Sequence, residues 1–429
     1  MGEANGRAGV IATLAAVLLG LWPTTAPAPL GPFEHGNGVK AMGRGGVSYA
    51  LGGDTTALGG NPAHAAAMGE RFDVGVSFGV PRASGTIRDN AAAADERYDS
   101  RSVLVPIPQG GAAFALAEDW ALAFNIQSAG IGPEYENNPY GRFGGGPRAE
   151  LALGQSGVAI TLAHRLTPDQ HVGAALNLSY QRFEVQGLQG FTAPEGSPNN
   201  VSVAPEAVTN RATDDAFGIG FTLGWKGTLT ERLWAAASYR SQTWTQKHDA
   251  YRGLLPEGGR LQLPAIYGAG LGFAATPELT LAFDFQRYHY SAQKAFGNQI
   301  AQLAAGNRLG SENGPGFGFR NQNAYKFAIE WQTTPALMLR AGYIHAEQLA
   351  RRSETLFGFF GVVMATTHYT AGASYEFGDW ELSGFYSYSP KQTIHGHDSI
   401  PDAFGGGEAD VGLRVQQFGL SAARRFGGN

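Results

Sequence analysis

Five stretches of this 429-residue chain alternate apolar and polar residues with period two. Phe72, Val74, Val76, Phe78 and Val80 alternate with Asp73, Gly75, Ser77 and Gly79. The same pattern recurs at Leu279 to Phe285, Tyr325 to Trp331, Tyr369 to Phe377 and Trp380 to Tyr388. Alternation of this kind gives an extended strand one apolar and one polar face. A soluble sheet can show it too, with the apolar face turned inward. Segment lengths of about 9 to 13 residues and aromatics near the segment ends favour strands that cross a bilayer.

The connections alternate in length. Short turns fall at Glu118-Asp119, Thr167-Pro168-Asp169, Thr228 to Glu231, Thr276-Pro277-Glu278, Thr333-Thr334-Pro335 and Gly378-Asp379. Long loops are expected at 88–109, 131–150, 187–213, 247–263, 292–322, 348–365 and 392–409. Six turns and seven loops join 14 strands, with both ends on the turn side. The expected fold is all-β: an antiparallel transmembrane β-barrel of about 14 strands. Composition agrees, since 43% hydrophobic, 16% charged and a mean hydropathy of −0.17 are what alternating faces average to. A net charge of −5 argues against a nucleic-acid partner. The absence of cysteine excludes disulfides, thiolate metal sites and a cysteine nucleophile. His395-Gly396-His397-Asp398 has metal-friendly residue types but reads as a solvated loop, so neither a metal nor a cofactor is expected.

Before the strands, Arg7 leads into the apolar run Ala8 to Trp22 and then the small residues around Ala26 and Ala28. The run is short for a membrane helix and reads as a secretory signal peptide, residues 1–28. The glycine-rich stretch Gly36 to Met68 follows. It reads as a plug or hatch, residues 29–70, inside a barrel spanning 71–429. Asp54 can cap a turn over Thr55 to Leu58, and Asn61-Pro62 is a second helix start. At the other end, Phe418, Leu420, Ala422 and Phe426 share one face, and Arg424 lies on it at the expected interface. Val411, Leu413 and Val415 have the opposite parity, which predicts a bulge or register change near Gln416.

The chain resembles the FadL/TodX family of outer-membrane transporters for hydrophobic compounds. The resemblance rests on Gly43-Arg44-Gly45-Gly46, Asp54 and Asn61-Pro62-Ala63 before the first strand, on Leu263-Pro264 before Gly268 and Gly270, and on Leu279 to Ser291 and Leu337 to Gln348. His64 stands where glycine is more usual. The resemblance implies a bacterial outer-membrane location, an N-terminal hatch, and passive uptake of long-chain fatty acids or similar molecules captured by extracellular loops. It also implies lateral release through a window made by a kink in the third strand. Here that strand would be Trp120 to Gly130, with Gly130, Gly132 and Pro133 able to break a ladder, although they equally suit an ordinary strand end.

Apolar loop residues offer a capture surface: Leu254 and Leu255; Ile300 and Leu303 on a short helix; Phe357, Phe359 and Phe360. They could equally pack on one another as a cap. Arg351-Arg352 could attract a carboxylate or lipopolysaccharide phosphates, or remain solvated. Lumen-facing Lys326, Glu330, Arg340 and Glu381 are expected to pair among themselves. No GxSxG, Walker or Rossmann motif is present, so catalytic residues are not expected. The expected partners are a hydrophobic small molecule and outer-membrane lipids, including lipopolysaccharide, around a monomer. Alternatives are a porin-like channel for hydrophilic solutes and an adhesin or structural barrel.

Overall fold

The structure, a computed structural model, describes residues 32–102, 104–197, 199–361 and 365–426. The expected signal peptide, residues 1–28, lies outside them, as do Val362 to Met364 and the last three residues. Fourteen strands form the barrel: β1 Glu70–Arg88, β2 Val105–Ala117, β3 Trp120–Ile131, β4 Ala149–Thr167, β5 Gln170–Gln186, β6 Asp214–Thr230, β7 Leu233–Arg240, β8 Ile266–Ala274, β9 Leu279–Tyr288, β10 Gln322–Gln332, β11 Leu337–Ala346, β12 Thr367–Phe377, β13 Trp380–Ile394 and β14 Glu408–Phe426. Each pairs antiparallel with its neighbours, and β1 closes the ring on β14 from Glu70↔Phe426 to Arg88↔Glu408. The first long loop is shorter than expected, because β2 already begins at Val105.

The strands differ along their length in what each face meets. In β14, Phe418 (41% exposed) and Leu420 (70%) face outward, while Val411 and Val415 are buried inward. No bulge separates them, since β14 pairs with β1 without a shift. The irregularity predicted near Gln416 lies on β13 instead, between Ser389 and Gln392. The parity reverses because the surroundings reverse. Toward the turns the outward face is apolar and the inward face is Gln417, Gly419 and Ser421. Toward the loops the inward face is apolar and the outward face is Arg414, Gly412 and Asp410. In β5, Leu176 and Leu178 face out, whereas Phe183 and Val185, nearer the loops, are buried within. In β1 the outward apolar run stops at Val80 and Arg82 follows. Phe72 to Val80 is nine residues; at about 3.4 Å each and a tilt of about 40–45° they cover about 22–23 Å, close to the apolar band of such barrels. Above that band the barrel is a water-facing wall around an apolar interior.

Arg424 shares the lipid face near the turn end. Its guanidinium lies 5.6 Å from the Trp380 ring centre and 5.2 Å from that of Phe426, an arrangement that suits a cation at an interface.

Residues 32–69 touch inward-facing residues of β1, β6, β9 and β12, and so lie within the ring. Asp54 caps as expected, accepting from the Ala57 N–H (2.8 Å) and the Thr56 hydroxyl (2.7 Å). Asn61 caps Pro62–Ala67, accepting from the Ala63 N–H at 3.1 Å; the turn is 3₁₀ rather than α.

Candidate functional site: chamber, cavity and wall gap

The apolar upper interior is continuous with the loops. A cavity of about 460 Å³, its open mouth included, is lined by Leu151, Phe183 and Val185 from the wall and by Leu254, Leu255, Phe357 and Phe360 from two loops. The structure thus brings together four of the predicted capture residues. Ile300 is buried and Leu303 half-buried in the same apolar cluster; their helix is a 3₁₀ turn, Ile300–Gln302. Phe359 points elsewhere, edge-on to Tyr98 and Tyr135 at 5.7 Å each. Arg351 and Arg352 do not line the cavity; the Arg352 Nε donates to the His395 carbonyl at 2.9 Å. Glu354 ties two loops, accepting from the Ile300 N–H at 2.8 Å, and burial raises its pKa. Tyr140, buried between the loops, is not among the residues that the sequence marks out. Its ring lies 4.9 Å from Phe360 and 6.1 Å from Phe357, and its hydroxyl donates to the Leu356 carbonyl at 3.2 Å. A lone tyrosine in a polar stretch carries no periodicity to flag it.

Beneath lies a second, more polar cavity of about 500 Å³, its open mouth included, between residues 33–37 and the wall. Phe33, Ile266 and Tyr288 belong both to its lining and to the apolar cluster above. The Arg240 guanidinium lies 5.7 Å from the Phe33 ring centre. Lys326 Nζ donates to the His35 carbonyl and to Gln286 Oε1, both at 2.7 Å. The His35 ring packs 5.0 Å from His368; burial lowers its pKa, and the neighbouring His368 and Lys326 lower it further. The Glu34 carboxyl is pushed up to about 8 by burial.

That value has a testable sign. Glu34 is protonated at pH 7 in the folded chain, whereas an exposed glutamate ionises near 4.5. Docking of residues 32–37 therefore loses stability as pH rises from 4.5 through about 8. The Gly130 N–H, held by the Pro32 carbonyl at 2.7 Å, reports on that docking. Its hydrogen exchange should accelerate across this window beyond the intrinsic base-catalysed rate. Glu34→Gln should remove the excess; an unchanged profile would show that Glu34 is not the titrating group.

The third feature is a break in the wall. β2 and β3 pair only from Gly111↔Asn125 to Ala117↔Trp120. Beyond Asn125, β3 continues to pair with β4 up to Ile131↔Leu153, but has no ladder to β2. Pairing resumes where the Arg101 N–H donates to the Glu134 carbonyl at 2.8 Å. The cause lies on β2. Pro106 and Pro108 stand opposite Phe78 and Val76 of β1, at positions whose backbone nitrogens point away from β1, toward β3. A proline nitrogen donates nothing, so this edge offers β3 no donors there. Part of the free β3 edge is met from inside, by a Phe33↔Ala129 bridge. A cavity of about 620 Å³, its open mouth included, lies at the top of the break and is lined by Val105, Arg101, Ile131, Gly132 and Pro133 among others. The lateral-opening candidates Gly132 and Pro133 thus sit at its rim and Gly130 at the bridge. The prolines of β2, placed in a loop by the sequence reading, lie across from them.

Below these cavities, residues 38–68 are fastened to the wall by charge and by close backbone contact. Asp284 accepts from the N–H groups of Ser48 (2.7 Å), Tyr49 (2.7 Å) and Ala50 (3.0 Å). The lumen charges do not pair only among themselves as expected. Glu330 meets Arg340 (2.7 Å) but also Arg44 (2.9 Å), and Glu381 pairs with Lys40 and Arg71. Gly45 has φ +69°, a left-handed conformation suited to glycine, and a Cβ on Gly342 of β11 would come within 2.0 Å of its nitrogen. Gly43 and Gly46 likewise pack on backbone, against Gly372 and His35. Asn61 and Pro62 rest on Gly224 and Gly173, and Ala63 is buried behind them. His64, the departure from the family pattern, fits here: its ring covers Gly52 and its Nε2 lies 3.1 Å from the Ser48 carbonyl.

No curated protein matches the chain in sequence. Solved structures share its fold. The P. putida toluene transporter TodX is 16% identical, with 92% of this chain and 100% of that one covered and a TM-score of 0.64. A Pseudomonas aeruginosa FadL homologue is 16% identical over 95% and 99%, with a TM-score of 0.65. The Ralstonia pickettii toluene transporter TbuX is 17% identical over 92% and 99%, with a TM-score of 0.61. Residues 35–356 match the model of the outer membrane protein transport protein family (OMPP1/FadL/TodX), and the chain belongs to that family of outer-membrane β-barrels.

Proposed function

We propose that this barrel takes up hydrophobic molecules passively, that long-chain fatty acids are its main substrates, and that they leave sideways through the β2–β3 break. One observation carries the reading: the apolar chamber under the loops and the more polar cavity holding Arg240 and Lys326 border one apolar cluster, so a tail and a carboxylate head each meet a fitting surface. In this reading the loop residues Leu254, Leu255, Phe357 and Phe360 gather the tail. Residues 29–70 act as a hatch that keeps hydrophilic solutes out. Neutral aromatic hydrocarbons are the second reading, supported by the rings of Tyr140, Phe357 and Phe360 around the chamber.

Uptake of labelled oleate and a small labelled sugar into vesicles carrying the refolded protein tests this, with toluene as competitor. Oleate entry without sugar entry supports it; sugar entry would make the protein a porin. Arg240→Gln separates the substrate readings. Losing a charge-assisted contact should weaken oleate binding about tenfold or more, with a neutral hydrocarbon unaffected. Equal loss for both would remove the carboxylate from the assignment.

A further inference from the structure

Outward-facing charges above the apolar band are arranged differently on two sides of the barrel. Between β5 and β6, Arg182 stands opposite Asp215, with nitrogen and oxygen 3.4 Å apart. Between β14 and β1, the first outward-facing cross-strand pair above Val80↔Gln416 is Arg82↔Arg414. Both arginines lie on the face that carries the Phe78 and Phe418 rings, stacked 5.4 Å apart lower down. Like charges directly opposite each other destabilise an antiparallel pair. A third cation joins them. Lys391 is exposed in the β13 irregularity opposite Arg414, and its Cε would lie 3.0 Å from a Cβ on Gly412.

The nearby carboxylates are engaged elsewhere. Asp410 is held by Arg88 at 3.1 Å through each of its oxygens, and it also meets His395. Asp99 is gripped by Arg97 at 2.9 and 2.6 Å, with Lys391 a weaker neighbour. Glu408 accepts from the backbone of Asp398 and Ser399. Arg82, Lys391 and Arg414 form no ion pair with any described residue. The row has a defined height. Four residues along a tilted strand rise about 10 Å, so it stands about that far above Phe78↔Phe418, the last pair apolar on both strands, and one step above Val80, at the level of lipid headgroups.

We propose that Arg82, Arg414 and Lys391 together bind a phosphate of an outer-leaflet glycolipid, the phosphorylated glucosamine head of lipopolysaccharide. A phosphate dianion relieves the repulsion between the two guanidiniums and accepts paired N–H bonds from each. The site is distinct from Arg351-Arg352, which lie on a loop.

The test compares binding of diphosphoryl lipid A, its dephosphorylated form and inorganic phosphate to the refolded barrel by native mass spectrometry and thermal stability. The wild type should retain diphosphoryl lipid A in preference to the dephosphorylated form. Each basic side chain near an anionic leaflet is worth roughly fivefold, so Arg82→Gln, Lys391→Gln and Arg414→Gln combined should weaken binding on the order of a hundredfold. Arg182→Gln, on the opposite side, should leave it unchanged. Arg414→Gln alone, with folding checked by heat-modifiable gel mobility, serves if the triple variant does not assemble. Equal binding of both lipids, or a folded variant that binds like wild type, overturns the proposal. Inorganic phosphate stabilising as well as the lipid would overturn the lipid assignment.

Discussion

Replacing Pro106 and Pro108 by valine should close the wall and stop uptake. Valine keeps the outward apolar face and gives β2 two N–H donors aimed at β3, where none exists now. A ladder bond nets about 0.5–1.5 kcal/mol, so two bias the break toward closure roughly five- to a hundredfold. Oleate uptake should fall by that factor, with sugar exclusion and barrel assembly unchanged. Hydrogen exchange supplies the control: the two new valine amides and the Ser128 amide on the free β3 edge should be protected. Protection gained with uptake intact would rule out this break as the exit.

Asp284→Ala should have the second large effect, in the opposite sense, by making the barrel leak. The carboxylate is buried and receives three backbone N–H groups from Ser48 to Ala50, themselves buried. Removing it leaves three unpaired amides at roughly 1–3 kcal/mol each. The Lys40, Arg44 and Asn61 contacts remain, so the loss should fall on the stretch from Val47 to Gly52 rather than eject the whole segment. Single-channel recording in planar bilayers should show openings absent from wild type, and small sugars should enter vesicles. A variant as silent as wild type would mean that residues 38–68 do not form the seal.

These two experiments also mark where the sequence was legible. Strand number and direction could be read from alternation and from turn and loop lengths, because both follow from an apolar exterior that repeats at every second residue. The Asp54 and Asn61 caps could be read because capping is local chemistry. Harder to read was anything set by which strands become neighbours. Pro106 and Pro108 look like loop residues until β1 is laid beside them. Lys326 and Glu381 look like mutual partners until His35 and Lys40 are placed in the lumen between them. The parity change in β14 was legible as a fact but not in its cause, since a bulge and a change of surroundings leave the same mark on a single strand. Of the loop residues, Leu254, Leu255, Phe357 and Phe360 converge, while Phe359 turns away; apolar character marks burial and not direction.

The reversal at Val80 and Gln416 also bears on how the barrel finds its depth. A strand with its apolar residues on one side below and on the other side above cannot lie flat on a membrane surface with both halves satisfied. It is satisfied only when it crosses and halts at the reversal. Sinking further would draw Arg82, Arg182 and Arg414 into hydrocarbon, at about 2–4 kcal/mol each near the midplane. Rising further would strand Leu420 and Phe418 in water. Each long strand is thus its own tidemark, and the barrel's vertical position is written into it before any loop folds.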